Sequence, residues 1–165
     1  MIKAIGSKVL LDSPNGVDFM DCIKDLLELE DVKNLDQYMQ HLKTSRLQHS
    51  INVSYYTYWI CKKLNWDYRS AARGGLLHDL YLYDWRTERQ PEGNHIKAHP
   101  IVALRTAQKN VELNDIEIDS IINHMWPVTF GLPRYKESML LTFVDKYVTI
   151  LEVTYQALAS IVRKE

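Results

Sequence analysis

The sequence contains little cysteine and no long apolar run. Its two cysteines, Cys22 and Cys61, give no disulfide framework, and both fall in helical patterns beside apolar residues. We therefore expect small, buried thiols. No stretch approaches the roughly 20 apolar residues of a membrane span. The first six residues also lack the apolar core of a secretory signal. These absences predict a cytoplasmic protein with no membrane partner.

The sequence also lacks an excess of either charge. Lysine and arginine total 20 against 21 acidic residues, and the basic residues are scattered along the chain. A net charge of −1 gives no general attraction to nucleic acid, so an anionic ligand must be held by local groups. We expect no nucleic-acid partner. With 165 residues, 46% of them hydrophobic, the chain suits a single domain over residues 1–165.

Neither the alternation of a β-strand nor an internal repeat is evident, whereas helical periodicity runs through most of the chain. The pattern predicts an all-α domain of about six or seven helices, with a turn at residues 14–16 and a polar loop at 84–97. Pro100 is expected in the first turn of its helix, which puts His99 at the helix start. Residues 1–12 are ambiguous, with an extended arm as one interpretation. The predicted helices cover residues 17–30, 32–42, 45–64, 68–80, 100–111, 115–126 and 136–162. Asp67 and Asn114 are expected to cap the helices at 68–80 and 115–126.

Six polar residues stand in apolar helical contexts, where they are costly to bury. The pair His78-Asp79 follows Gly-Gly-Leu-Leu, and His49 shares a helix face with Val53. Burying such groups costs on the order of several kcal/mol unless something compensates. Taken singly, each has an ordinary explanation, such as a hydrogen-bonded core histidine or a solvated helix surface. Taken together, imidazole and carboxylate groups from five helices indicate one or two divalent metal ions. The six residues are His49, His78, Asp79, His99, His124 and Asp145.

In this order, the six residues resemble the motif of the HD-domain superfamily of metal-dependent phosphohydrolases. Bacterial members with two extra histidines are most similar, namely cyclic-dinucleotide phosphodiesterases of the HD-GYP type and symmetrical diadenosine-tetraphosphate hydrolases. The resemblance covers residues 45–150. It is strongest in Arg46-Leu-Gln-His49-Ser, Gly75-Leu-Leu-His78-Asp79, His99-Pro100, Asn123-His124 and Val144-Asp145-Lys146.

The resemblance implies an HD-domain helical bundle, with a metal-binding core at residues 44–156 after an N-terminal helical extension at 1–43. It also implies one or two divalent transition metal ions, with Fe or Mn favoured and Co, Ni or Zn acceptable. Asp79 would bridge the two ions. The first ion would be held by His49, His78, Asp79 and Asp145, and the second by His99 and His124.

Departures from the family's patterns concern the substrate. Leu82 stands where the most similar members keep a lysine, three residues after the Asp of the pair. Asn123 precedes His124 where HD-GYP members carry a doubled histidine, and no Gly-Tyr-Pro signature occurs. The resemblance therefore implies the metal ligands of this chain, but it does not identify the substrate.

The expected activity is hydrolysis of a phosphoester or phosphoanhydride bond in a small phosphorylated substrate, a nucleotide or dinucleotide. Two metal ions about 3.5–4 Å apart would neutralise the phosphate and supply a hydroxide that attacks phosphorus. Asp79 is expected to be a catalytic ligand. Arg46 lies one turn before His49 on the same face and is the expected catalytic, phosphate-binding cation. A structural salt bridge is the alternative role for Arg46.

The sequence gives weaker support for a phosphate-binding role of the other basic residues. Arg86 and Lys97, in or beside the polar loop, are expected to bind substrate phosphate, with a solvated loop as the alternative. Lys146 follows Asp145 but lies about 100° around the helix, so a structural role is expected.

Two alternatives to this activity stay open. One is a mononuclear nucleotidase, for which His99 and His124 would be dispensable. The other is a catalytically silent, metal-containing nucleotide-sensing module, which Leu82 favours. An apolar face on the N-terminal helices would in either case pair subunits as a homo-oligomer.

Overall fold

The computed structural model describes residues 14–162 of the chain, and within this range the fold is all-α, as predicted. The suggested arm at residues 1–12 lies outside the described residues. Seven α-helices are joined by loops, a 3₁₀ turn and one two-stranded antiparallel hairpin, and the longest loops are residues 78–94 and 124–135. The elements are α1 Pro14–Leu27, α2 Glu30–Asn34, the 3₁₀ turn Leu35–Gln37, β1 Met39–His41, β2 Thr44–Ser45, α3 Arg46–Lys63, α4 Tyr68–Leu77, α5 His95–Asn110, α6 Asp115–Asn123 and α7 Lys136–Val162.

Side-chain caps fix the starts of α3, α4 and α6. The oxygens of Ser45, Asp67 and Asn114 each accept a hydrogen bond from the backbone N–H three residues later, at 2.9 to 3.2 Å. Glu117 returns a bond to the backbone of Asn114 and completes a capping box. Such contacts satisfy N–H groups that the first helical turn leaves without partners. The capping predicted for Asp67 and Asn114 is confirmed.

The segment predicted as a turn and the helix predicted at residues 32–42 are both corrected. Residues 14–16 form the first turn of α1, where the fixed φ of Pro14 is favourable. Residues 32–42 divide into the end of α2, the 3₁₀ turn and β1, and Leu42 reverses the chain with a φ of 46°. Pairing of β1 with β2 overrides the amphipathic pattern, and it carries Gln40 and His41 toward the centre of the molecule.

The start of α5 is also corrected. The helix begins at His95 and is capped by Asn94, whose side chain accepts from the N–H of Lys97. Pro100 lies inside the helix and not in its first turn. It lacks the N–H that would bond to the carbonyl of Ile96. The earlier start moves His99 from the helix end to an inward-facing, buried position.

Two glycines allow α4 to approach its neighbours closely. A Cβ atom on Gly75 would lie 2.6 Å from the Cα of Ser54 in α3, and one on Gly74 would lie 2.9 Å from the Cβ of Ser120 in α6. The backbone of α4 therefore approaches its neighbours closely just before His78. Because the end of α4 is held against α3 and α6, His78 and Asp79 lie where those helices meet.

The apolar face of the N-terminal helices is interior and does not form the exposed surface expected for pairing subunits. Phe19, Ile23 and Leu26 of α1 are buried in the main core. Among the described helices, exposed large apolar side chains are most numerous on α7, and they include Phe143 and Tyr147. None of α1 to α7 has the length and apolar character needed to cross a bilayer.

Both cysteines are unpaired and buried, as expected. Burial raises the pKa of the Cys61 thiol to about 12 and also raises that of Cys22. Because the thiolate is the reactive form, we predict that iodoacetamide at pH 8 leaves both residues unmodified in the native protein and labels both in urea, measured by mass spectrometry. Rapid native labelling of Cys61 would contradict the packing of α3.

Candidate metal centre

The structure brings all six predicted ligands together at the meeting point of five helices. His78 and Asp79 follow the last turn of α4, and His124 follows the last turn of α6. The four imidazoles and Asp79 are buried, and the Asp145 side chain is 14% exposed. The remaining ligands are His49 on α3, His99 on α5 and Asp145 on α7.

Backbone carbonyls fix the tautomers of three histidines. The Nδ1 atoms of His78, His99 and His124 each lie 2.8 Å from a carbonyl oxygen three or four residues earlier in the chain. Because a carbonyl only accepts, each Nδ1 carries the proton and donates it, which leaves the Nε2 lone pair free. His78 and His124 thereby satisfy carbonyls of the helix ends that they follow. The same bonds aim their Nε2 atoms at the centre, as in metal-binding histidines.

The inward-facing donor atoms form two groups that share Asp79. Subsite A consists of His49 Nε2, His78 Nε2, Asp79 Oδ2 and Asp145 Oδ1. Within it, Asp145 Oδ1 lies 3.0 Å from His49 Nε2 and 3.6 Å from His78 Nε2, and Asp79 Oδ2 lies 3.5 Å from His78 Nε2.

Subsite B consists of Asp79 Oδ1, His99 Nε2 and His124 Nε2. The two imidazole nitrogens are 2.9 Å apart, and they lie 3.5 and 3.6 Å from Asp79 Oδ1. Each oxygen of Asp79 thus faces a different subsite, which is the arrangement of a bridging carboxylate.

These separations fit metal ligation. Two donors bound to one ion at about 2.0–2.2 Å lie roughly 2.9–3.6 Å apart in octahedral or tetrahedral geometry. The measured separations of 2.9 to 3.6 Å in both subsites cover that range. Imidazole with carboxylate is a donor set for Fe, Mn, Co, Ni or Zn, so each subsite could hold one such ion.

Buried atoms without partners support the same interpretation. Within residues 14–162, His78 Nε2 and Asp79 Oδ1 are buried and make no hydrogen bond. The lone pairs of His99 and His124 face each other at 2.9 Å, where two neutral imidazoles repel. Such groups are costly to bury unpaired, and a cation in each subsite would satisfy them all.

The ionisation states suit cation binding. Burial, together with His78 and His99, lowers the pKa of His124 to about 3, so its ring is neutral near pH 7. Burial opposes ionisation of Asp79, but His78, His99 and His124 hold its pKa below the usual range. Asp79 and Asp145 raise the pKa of His78 despite its burial. The effect is larger at His49, because hydrogen bonds to Asp145 and Glu152 outweigh burial and raise its pKa to about 10. An ion entering subsite A must replace that proton, so binding weakens at low pH.

Two residues beside the predicted ligands, Glu152 and Gln40, were not predicted from the sequence. Glu152 is fully buried, and its Oε2 lies 3.0 Å from His49 Nδ1. It lies two helical turns after Asp145, so helical spacing was the signal that could have found it. Gln40 donates from Nε2 to Asp79 Oδ2 at 2.6 Å. No sequence signal pointed to Gln40, since it lies on the unpredicted hairpin.

A third group of potential ligands overlaps subsite A. The donor atoms of His41, His49 and Glu152 lie within 4.8 Å of one another. Both oxygens of Glu152 are already engaged, by His49 Nδ1 and by Asn52 Nδ2. His41 Nε2 lies 3.3 Å from Thr149 Oγ1. These bonds leave this group fewer free donors than subsites A and B.

Arg46 is buried, and it is placed beside the site but not in its cavity. Its Nη1 and Nη2 atoms donate to the carbonyls of Tyr81 and Tyr83, and its Nε donates to Gln40 Oε1 at 3.1 Å. The guanidinium also lies 3.5 Å from the centre of the Tyr81 ring. Arg46 therefore anchors the segment after Asp79 and fixes the amide of Gln40. This placement corrects the expectation of a cation that faces substrate.

Arg86 and Lys97 likewise lie away from the metal ligands. Arg86 donates to the carbonyl of Met39 and covers the ring of Trp85, and Lys97 is exposed on α5. The expectation that they face a phosphate at the metal centre is not met in this conformation.

A cavity of about 370 Å³ opens over both subsites. Lys146 lines it, with Nζ donating to the carbonyls of His124 and Thr142 at 3.0 and 3.2 Å. Trp85 and His95 also line it, and they stack with ring centres 5.2 Å apart and planes 16° apart. Lys146 thus has the structural bonds expected of it and also faces the cavity. The lining includes Gln40, His41, Asp79, Tyr81, His99, His124 and Asp145.

The sequence model of the HD domain matches residues 46–150. The chain belongs to the HD-domain family. HD domains bind divalent metals, and most are metal-dependent hydrolases of small phosphorylated substrates. Comparisons with curated proteins and with solved structures gave no match. The matched range lies inside the core assigned to residues 44–156, and that division of the chain stays a prediction.

The two subsites predict the metal stoichiometry. The wild-type protein should bind two divalent ions per chain, and His99→Ala should bind one, because subsite B would keep only one imidazole. The measurement is elemental analysis after equilibrium dialysis with Mn²⁺. His95→Ala, one turn earlier on α5 and outside both subsites, is the matched control and should bind two. A single ion in wild type, with no change in His99→Ala, would support the mononuclear alternative.

Proposed function

We propose that this HD domain is a phosphohydrolase that cleaves a phosphoester or phosphoanhydride bond in a nucleotide or dinucleotide. The observation that carries the proposal is the pair of subsites sharing Asp79 at the floor of an open cavity. When bound, two divalent ions neutralise phosphate oxygens and lower the pKa of an attacking water. The four-histidine donor set supports Fe or Mn, with Co, Ni and Zn also acceptable.

The protein's own contribution is to orient ligands and substrate. The carbonyl bonds of His78, His99 and His124 hold three imidazoles rigidly, which preorganises the positive centre that phosphate must meet. Asp79 and Asp145 offer oxygens on the cavity side, where either can orient a nucleophilic water. The exposed mouth of the cavity allows an anionic substrate to enter.

Lys146 is the proposed phosphate-binding cation. Its ammonium group lines the cavity and is held by two carbonyls, so it is positioned without being neutralised by a carboxylate contact. It takes over the role first assigned to Arg46, which acts instead through Gln40 on Asp79. Lys146 also supplies a cation that this chain lacks at Leu82.

The aromatic pair Trp85 and His95 supports a nucleotide as the substrate. The stacked rings border the cavity, and Trp85 is 40% exposed with the Arg86 guanidinium over its ring, so a nucleobase would stack there by displacing that flexible side chain. A cavity of about 370 Å³ is within the usual range for small-molecule sites. A silent nucleotide-sensing module would use the same features, and Leu82 is the observation that favours it.

Substrate turnover tests the proposal. Protein loaded with Mn²⁺ or Fe²⁺ should hydrolyse at least one member of a panel of nucleoside phosphates, dinucleoside polyphosphates and cyclic dinucleotides. Asp79→Ala should lose both metal and activity. Lys146→Met should keep its metal, and its kcat/KM should fall by roughly 10²–10³, as for loss of one transition-state donor. The matched control is Lys109→Met on α5. Metal-loaded protein that binds nucleotides but hydrolyses none would favour the sensing module.

A homo-oligomer is proposed through α7. Between Tyr147 and Leu158 the only charged residue is Glu152, which is buried, and Tyr147, Ile150 and Leu158 are exposed. An uncharged apolar face is self-complementary, so a second copy of the chain can cover it by two-fold symmetry.

The buried free thiols fit the reducing conditions of a cytoplasmic setting.

The α7 interface predicts a concentration-dependent mass. Wild-type protein should run as a dimer in light scattering coupled to gel filtration, and Ile150→Lys should run as a monomer with unchanged helical content. Val17→Lys, an exposed apolar position on α1, is the control and should remain dimeric. Wild-type protein that stays monomeric at high concentration would contradict the proposal.

A further inference from the structure

His49 differs from the other three histidines in the partner of its Nδ1 atom. Those three donate to backbone carbonyls, whereas His49 Nδ1 lies 3.0 Å from the Glu152 carboxylate. A carboxylate behind a metal-binding imidazole makes the ring a stronger ligand and fixes its tautomer. One of the two subsites therefore has a support that the other lacks.

Burying the Glu152 carboxylate costs folding free energy. Its side chain is fully buried, and in the described part of the chain no lysine or arginine forms an ion pair with it. Its hydrogen bonds come from His49 and from Asn52, whose Nδ2 donates to Oε1 at 2.8 Å. A buried carboxylate is expensive without a positive partner, and His49 is the cationic or metal-bound group that it meets.

The charges around the two subsites are consequently unequal. Subsite A has Asp145, the His49-linked carboxylate of Glu152 and one oxygen of Asp79. The donor atoms of subsite B are the other oxygen of Asp79 and two imidazole nitrogens, with no second carboxylate. A divalent cation gains more electrostatic stabilisation where more negative charge is buried nearby.

We propose that Glu152 is a positioning residue that makes subsite A the tighter of the two, so that ions enter in a fixed order, A before B. The protein then passes through a defined form with one ion before the second binds. This inference rests on the proposed dinuclear centre but not on hydrolysis, because ion binding is measured without substrate.

The test is calorimetric titration of the metal-free protein with Co²⁺, followed in parallel by the visible absorption of the bound ion. Wild type should show two separate steps. Glu152→Gln preserves the shape and an acceptor oxygen but removes the charge, and it should weaken the first step by roughly 10–100-fold and leave the second little changed. His99→Ala should keep the tight step, which assigns that step to subsite A.

Glu137→Gln is the matched control. Glu137 is also a buried carboxylate on α7, but it accepts from the backbone N–H of Asp67, far from the ligands. This variant should lose some thermal stability and keep both Co²⁺ steps. A purely structural role for Glu152 predicts that Glu152→Gln behaves in the same way, so equal effects of the two variants would overturn the proposal.

Asn52→Ala provides a second variant if Glu152→Gln does not fold. It frees Oε1 of Glu152 and should weaken the first step by a smaller factor, again with the second step retained. Selective weakening of the second step by either variant would also overturn the proposal. If the wild-type protein itself bound Co²⁺ in a single step, the dinuclear centre would be contradicted. Failure of the proposed role of Glu152 can therefore be distinguished from failure of the dinuclear centre.

Discussion

The rest of the structure depends on the cost of burying Asp79. Its carboxylate is buried among imidazole nitrogens at the floor of the cavity, and Oδ1 has no hydrogen-bond partner among the described residues. Such a carboxylate is tolerable only beside positive charge. The surrounding helices are arranged so that nitrogen and oxygen lone pairs face it from both sides, which makes a cation in each subsite the simplest source of that charge.

The same constraint explains how the helices end. α4 and α6 both stop immediately before a histidine, and in each case the imidazole donates to a carbonyl of the last turn. The same hydrogen bond therefore satisfies a carbonyl at the end of the helix and orients the imidazole. Gly75 contributes by letting α4 approach the backbone of α3 at Ser54, and the ring centres of His78 and His49 lie 5.5 Å apart.

Much of the metal centre could be predicted from the sequence because its ligands are polar groups in apolar helical segments. The features that the sequence predicted are the all-α class, the caps at Asp67 and Asn114, and the meeting of the six residues of the metal centre. Glu152 was within reach of the same reasoning, since it lies seven residues after Asp145. In the structure it lies behind the His49 ring, 3.0 Å from Nδ1, and contributes no atom to either subsite.

The remaining features depend on tertiary contacts that periodicity does not encode. The hairpin of β1 and β2 replaces a predicted helix and carries Gln40 to Asp79. Arg46 was expected to face phosphate because it shares a helix face with His49. Its three donor groups are instead used by the carbonyls of Tyr81 and Tyr83, which are distant in sequence, and by Gln40 on the unpredicted hairpin.

The most direct test is a crystal structure of the Mn²⁺-loaded protein with an anomalous difference map. The account predicts two peaks per chain on opposite sides of the Asp79 carboxylate, about 3.5–4 Å apart, as in dinuclear phosphohydrolase sites. One peak should contact His49, His78 and Asp145, and the other should contact His99 and His124. A single peak, or a peak between His41 and Glu152 with subsite B empty, would contradict it.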